Sequence, residues 1–122
     1  MFSDTHFHFG LMVNERGTDG TQLLESLAQR GVFFAQDIGT HSDDLAGRQA
    51  LARKCIDGTA SASTAAEKFL YFSAGIWPSP EEIAGRREGA AELERQIAAA
   101  RSSADPLFRK VSALGECGLD HH

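Results

Sequence analysis

The sequence predicts an α/β fold in which about four parallel strands alternate with helices. Two observations carry that expectation. Short apolar runs, suited to strands, recur at residues 1–9, 32–38, 69–77 and 111–114. Between the runs, apolar residues recur at helical spacing. Alternation of this kind builds a parallel sheet with right-handed crossovers.

After the first strand, residues 10–20 form a polar, glycine-containing stretch that reads as a loop. Asp19 or Thr21 can cap the first helix, and Leu23, Leu24, Leu27 and Ala28 fall on one of its faces. Gly31 suits its stop, because glycine adopts the left-handed conformation without steric cost. The second strand closes at Gly39. Ser42-Asp43-Asp44 opens the next helix, with its acids at the positive end of the dipole. Leu45, Ala52, Cys55 and Ile56 supply the buried face of that helix. Residues 57–66, rich in Gly, Ser, Thr and Ala, read as a loop running into weak helix.

The third strand leads into Pro78-Ser79-Pro80-Glu81-Glu82, the clearest local signal in the chain. Ser79 is the expected N-cap, Pro80 the first helical residue and Glu82 the capping-box partner. The helix is expected to run to about Arg101, with Ile83, Ala90, Leu93 and Ile97 along one stripe. A connection around Asp105-Pro106 leads to the fourth strand. Phe2, Phe7 and Phe9 are expected to pack against the helices.

With 122 residues the chain fits one modest domain. A closed eight-stranded α/β barrel needs about 250 residues, so the four strands amount to half of one. Such a half leaves two open strand edges, which natural proteins normally cover. The net charge of −5 gives no general attraction to nucleic acid and counts against a pure DNA-binding module. It does not exclude an enzyme that grips phosphates through bound metal. Cys55 and Cys117 form no disulfide framework. No secretion signal opens the chain, and no run approaches the roughly 20 apolar residues of a membrane span. The expectation is a reduced, cytoplasmic protein with no membrane partner.

Asp4, His6 and His8 are spaced by two, which places all three on one face of an extended strand. Two imidazoles on one face can hold a cation, with Asp4 in support or approaching the metal itself. The pattern is short enough that chance explains it equally well. Glu116 follows an apolar strand and sits among small neighbours, as suits a carboxylate bridging two cations. In isolation it is more simply an exposed turn residue. Asp120, His121 and His122 follow, and the two histidines read equally as a tail. Asp37 either faces the same end of the sheet or contacts a loop. Cys117 lacks a base partner for nucleophilic work.

Three motifs, taken together, carry a resemblance. They are Asp4-Thr5-His6-Phe7-His8, Gly75-Ile76-Trp77-Pro78 and Gly115-Glu116-Cys117-Gly118-Leu119-Asp120. In order and spacing the chain resembles the amino-terminal half of the TatD family of metal-dependent hydrolases. That family carries Asp-Thr-His-x-His, Gly-x-His-Pro and Gly-Glu-x-Gly-Leu-Asp on its first, third and fourth strands. The resemblance implies that residues 1–122 are a single partial domain, half of a TIM-like (β/α)8 hydrolase barrel. It implies one or two divalent cations (Mg, Mn or Zn) held by His6, His8 and Glu116. Asp4, Trp77 and Asp120 become supporting or substrate-contacting residues.

The implied activity is hydrolysis of DNA phosphodiester bonds through metal-activated water. The general base and the remaining ligands belong to the carboxyl-terminal half of the family barrel. Trp77 stands where the family has histidine, and an indole cannot coordinate a cation. It is left to stack on a base, to line the pocket or simply to pack. Two alternatives stand beside this reading. One is a related amidohydrolase acting on a C–N or ester bond. The other is a catalytically incomplete half barrel that associates with itself or a partner through its exposed edges.

Overall fold

The computed structural model describes residues 2–59 and 63–117. Asp120, His121 and His122 lie outside the described residues. Four strands, β1 (Phe2–Phe7), β2 (Val32–Asp37), β3 (Leu70–Ala74) and β4 (Val111–Leu114), form one sheet. They pair in parallel in the order β1-β2-β3-β4. The helices between them are α1 (Phe9–Asn14), α2 (Gly20–Gln29), α3 (Leu45–Asp57), α4 (Ser63–Phe69), α5 (Pro80–Ala84) and α6 (Arg86–Arg101). The expected α/β alternation is therefore present.

Sequential strand order has a consequence for packing. Right-handed crossovers between successive neighbours put every connecting helix on the same face of the sheet. The core lies on that face. Ala35, Leu70, Phe72 and Ala74 are buried there against Leu24, Leu45, Ala52 and Ile56 of the helices. Alternation along β3 sends Tyr71 to the opposite face. There Tyr71 stacks on Phe34 at 5.0 Å, and Gln36 Nε2 donates to Ser112 Oγ at 3.1 Å. The sheet ends at β1 and β4, whose outer residues, Phe2 to His6 and Ser112 to Leu114, are exposed.

Most local signals act as expected. Asp19 accepts from the Gln22 N–H, and Ser79 from the Glu82 N–H. Gly31 takes φ +76° just beyond the end of α2. Several expectations need correction. Residues 9–14 are helical, because Phe9 and Val13 anchor a turn on the core. The weak helix in the glycine- and serine-rich stretch is α4, which continues to Phe69, so β3 is shorter than the expected 69–77. Gly85 interrupts the long helix and divides it into α5 and α6. Leu93 and Ile97 pack on the core, whereas Ile83 and Ala90 are exposed. Phe7 and Phe9 pack inward, but Phe2 is exposed at the sheet edge.

Candidate metal centre

His6 lies in β1, and His8 is the residue that caps α1. Glu116 follows β4. The carboxyl ends of parallel strands thus gather residues from the two outermost strands of the sheet, the end at which α/β folds place their sites. His6, His8 and Glu116 each offer a donor atom, and these atoms all lie within 4.8 Å of one another. The two imidazoles meet edge to face, with ring centroids 5.0 Å apart.

The placement of His8 has a traceable cause. Asp37, buried at the end of β2, accepts from the Phe9 N–H at 2.9 Å. This bond fixes the backbone immediately after His8 and starts α1. Asp37 also receives Arg48 Nη1 at 2.9 Å, and Arg48 Nη2 donates to the Ser73 carbonyl at 2.7 Å. Burial pushes the Asp37 carboxyl up, while the Arg48 guanidinium and the Phe9 N–H pull it down. Asp37 faces the strand ends, where it lines a cavity with His8, and its contacts are to the helices α1 and α3 rather than to a loop.

Glu116 is placed by backbone crowding. Its N–H donates to the Gly39 carbonyl at 3.0 Å, and the Gly115 N–H to the Ala74 carbonyl at 2.9 Å. Ser73 Oγ accepts from the Gly39 N–H and donates to the Gly115 carbonyl. A Cβ on Gly75 would collide with the Gly115–Glu116 backbone. Gly75, inside the motif singled out from sequence, is thus the residue that lets the end of β4 close on β3. Ser73 ties three strand ends together with one hydroxyl.

The supporting residues fare differently. Asp4 does not join the His6–His8–Glu116 group. Its Oδ1 accepts from the His6 N–H at 3.0 Å, and it lines a cavity of about 120 Å³ with Phe7, Leu23 and Leu27 on the helix side. The register with β2 shifts between Asp4 and Phe7, so the strict alternation expected for the three polar residues is broken. Trp77 is half exposed, and its backbone N–H donates to the Thr40 carbonyl at 2.8 Å. Asp120 lies outside the described residues.

Sequence reasoning missed Thr40, His41 and Arg48. Thr40 and His41 follow the second strand after Ile38 and Gly39, and a residue after a strand end reaches the same end of the sheet as His8. Arg48 was legible as an i,i+4 partner of Asp44, which it meets at 2.9 Å.

Two imidazole nitrogens and a carboxylate oxygen suit zinc or manganese, or magnesium with added water. Metal–ligand bonds near 2.1 Å place opposed donors about 4.2 Å apart. Donors already gathered within 4.8 Å need only small side-chain rotations to share one cation. The donor set therefore fits the divalent cation that the resemblance implies. Comparison with protein-family models, curated proteins and solved structures returned no match to this chain. What the fold and the site define together is an α/β protein with a candidate cation site at the strand ends.

Proposed function

We propose that the chain is the amino-terminal half of a TatD-type barrel, a metal-dependent hydrolase of phosphodiester bonds with DNA as its substrate class. The observation that carries this reading is the convergence of His6, His8 and Glu116 from opposite edges of the sheet. Separate motifs, read as ligands from sequence, meet at one point. Sequential strand order, with the helices on one face, is also what half of a β/α barrel requires. The free Cys55 and Cys117 fit a reducing, cytoplasmic setting, and no described helix is long and apolar enough to cross a membrane.

Bound there, one or two divalent cations (Mg, Mn or Zn) supply Lewis-acid polarisation of a phosphoryl oxygen and a more acidic water. His6 and His8 hold such a cation through neutral imidazole nitrogens, and Glu116 supplies the negative charge that raises affinity. Asp37 keeps His8 in place through the Phe9 N–H. Trp77 offers an exposed aromatic surface at the same end of the sheet, suited to stacking on a base.

The test is calorimetric titration of the chain with zinc and manganese, followed by metal-dependent cleavage of single-stranded DNA. Both are expected to be lost in His6→Ala and Glu116→Ala. Metal binding unchanged by either substitution would sink the reading. A second reading, self-association of the half barrel, rests on the exposed edges at β1 and β4, with Phe2 63% and Leu114 72% exposed. Sedimentation equilibrium showing only monomer removes it.

A further inference from the structure

We propose that the cavity beside His8 is the subsite for one nucleobase next to the scissile phosphate, and that Glu15 and Asn14 select adenine and cytosine over thymine. The proposal rests on the phosphodiesterase reading above and adds which bases the substrate carries. The cavity, about 220 Å³, lies between two segments at the strand ends. Leu11 and Asn14 of α1, with Glu15 that caps it, form one wall. Thr40, His41 and Asp44, from the segment after β2, form the other. His8 lines the same space, so a group bonded to a phosphate held at the candidate metal centre reaches into it.

Charge decides which part of a nucleotide enters. The carboxylates of Glu15, Asp37 and Asp44 outnumber the Arg48 guanidinium, which is itself engaged by Asp37, Asp44 and the Ser73 carbonyl. A second phosphate would meet this excess of negative charge and be repelled. Nor do the acids make another cation site: among the described residues, the donors that converge are those of His6, His8 and Glu116. An uncharged base remains. The volume is below the roughly 300–1,000 Å³ of pockets that enclose a whole drug-sized ligand, so it suits one ring system rather than an entire nucleotide.

The free polar groups of the cavity then read the edge of that base. Asp37 and Asp44 are committed to Arg48 and to the backbone N–H groups of Phe9, Thr40 and His41. Asn14 and Glu15 are exposed, and among the described residues their side chains have no hydrogen-bond or ion-pair partner. A carboxylate only accepts, whereas an amide both accepts and donates. An exocyclic amine carries two protons, one for Glu15 and one for Asn14 Oδ1, and Asn14 Nδ2 donates to the ring nitrogen beside it. Adenine and cytosine present such an amine, and thymine presents a carbonyl oxygen in its place. Facing Glu15, that oxygen would set acceptor against acceptor. Leu11 supplies an apolar wall for the ring. Thr40 lines the cavity, and its carbonyl accepts from the Trp77 N–H at 2.8 Å. The cavity and the exposed Trp77 ring therefore adjoin one loop, placed for the bases on the two sides of one phosphate.

The experiment titrates the full chain, loaded with zinc, with the monophosphates of deoxyadenosine, deoxycytidine and thymidine. NMR follows the ring nitrogens of His6 and His8 and the side-chain amide of Asn14. Expected are zinc-induced shifts at His6 and His8 and nucleotide-induced shifts at Asn14. The adenine and cytosine nucleotides should bind about 10-fold more tightly than the thymine nucleotide, at the weak end of base-edge discrimination because Glu15 is open to water. Glu15→Gln should erase the preference, because its amide can turn either a donor or an acceptor to the base. Asn14→Ala should weaken adenine and cytosine binding several-fold. Zinc affinity and melting temperature should stay unchanged in both variants, since neither side chain holds a partner in the fold. Equal affinity for the three nucleotides, or a preference that survives in Glu15→Gln, overturns this proposal alone. Zinc shifts without nucleotide binding overturn the phosphodiesterase reading together with it. Absence of zinc shifts overturns the metal reading and this proposal with it.

Discussion

Arg48 and Arg53 belong to the same helix, α3, and hold different parts of the molecule together. Arg48 reaches beneath the strand ends to Asp37, Asp44 and the Ser73 carbonyl, with its side chain 11% exposed. Arg53 meets Asp105 of the connection before β4 at 2.7 Å, Glu67 of α4 at 2.6 Å and Asp57 of its own helix at 3.3 Å. The chemistry is the same and the environment is not. Asp37 is deeply buried, and burial pushes its carboxyl up despite the arginine. Asp105 keeps contact with water, and the Arg53 guanidinium holds its carboxyl below the usual range. One network is a positioning device built at an energetic cost. The other is a fastening that stabilises outright.

The sharpest test of that contrast is Arg48→Met. Removing one partner leaves the buried Asp37 carboxylate uncompensated, at a cost of about 3–5 kcal/mol near neutral pH. Urea denaturation should show the loss, and the loss should shrink in acid as Asp37 takes up a proton. A cost that does not change with pH would break the assignment. Gly75→Ala comes next. Its methyl group meets the Gly115–Glu116 backbone rather than a flexible side chain, so the end of β4 must move. Overpacking of this kind costs about 1–3 kcal/mol. It should also weaken zinc affinity, because Glu116 is carried away from His6 and His8. Stability lost without any change in zinc affinity would separate the glycine from the site. Arg53→Ala is smaller, about 1–2 kcal/mol, because its partners remain hydrated. Zinc affinity should be unchanged by it.

The contrast also explains how much was legible in the sequence. The strands were readable because β2 opens on the apolar run Val32 to Ala35 and β3 is nearly all apolar, and buried strands advertise themselves that way. Asp19 and Ser79 were readable because an N-cap acts within three residues of itself. His6, His8 and Glu116 were legible through motif resemblance, and their meeting point depends on pairings across the whole sheet. Asp4 stays outside the His6–His8–Glu116 group and contacts only the His6 N–H, beside a register shift in β1 that breaks the period-two rule and that no residue type there announces. Arg48 and His41 were overlooked for another reason. Beyond the local signals of an i,i+4 pairing with Asp44 and a position after a strand end, their roles come from contacts between elements, with Asp37, Ser73 and the cavity beside His8, which local pattern does not specify.

The smallest expected effect lies in acid stability. Asp105 has a lowered carboxyl, so its pairing contributes stability above the unfolded value of about 3.9 and loses it as pH falls through the folded value. Asp37 has a raised carboxyl, so its contribution is present below about 3.9 and is lost as pH rises through the folded value. The two slopes oppose each other in the wild-type chain, and single substitutions separate them. In Asp105→Asn, stability measured by urea denaturation should no longer gain from Asp105 as pH rises through the acid range. In Asp37→Asn, the decline that Asp37 imposes on going from acid toward neutral pH should vanish. The Asp105 difference should stay under about 1 kcal/mol, because its side chain is a quarter exposed and water screens the pair. Slopes of the same sign for both carboxylates would show that burial does not dominate at Asp37, and the two arginines of α3 would then be doing the same work.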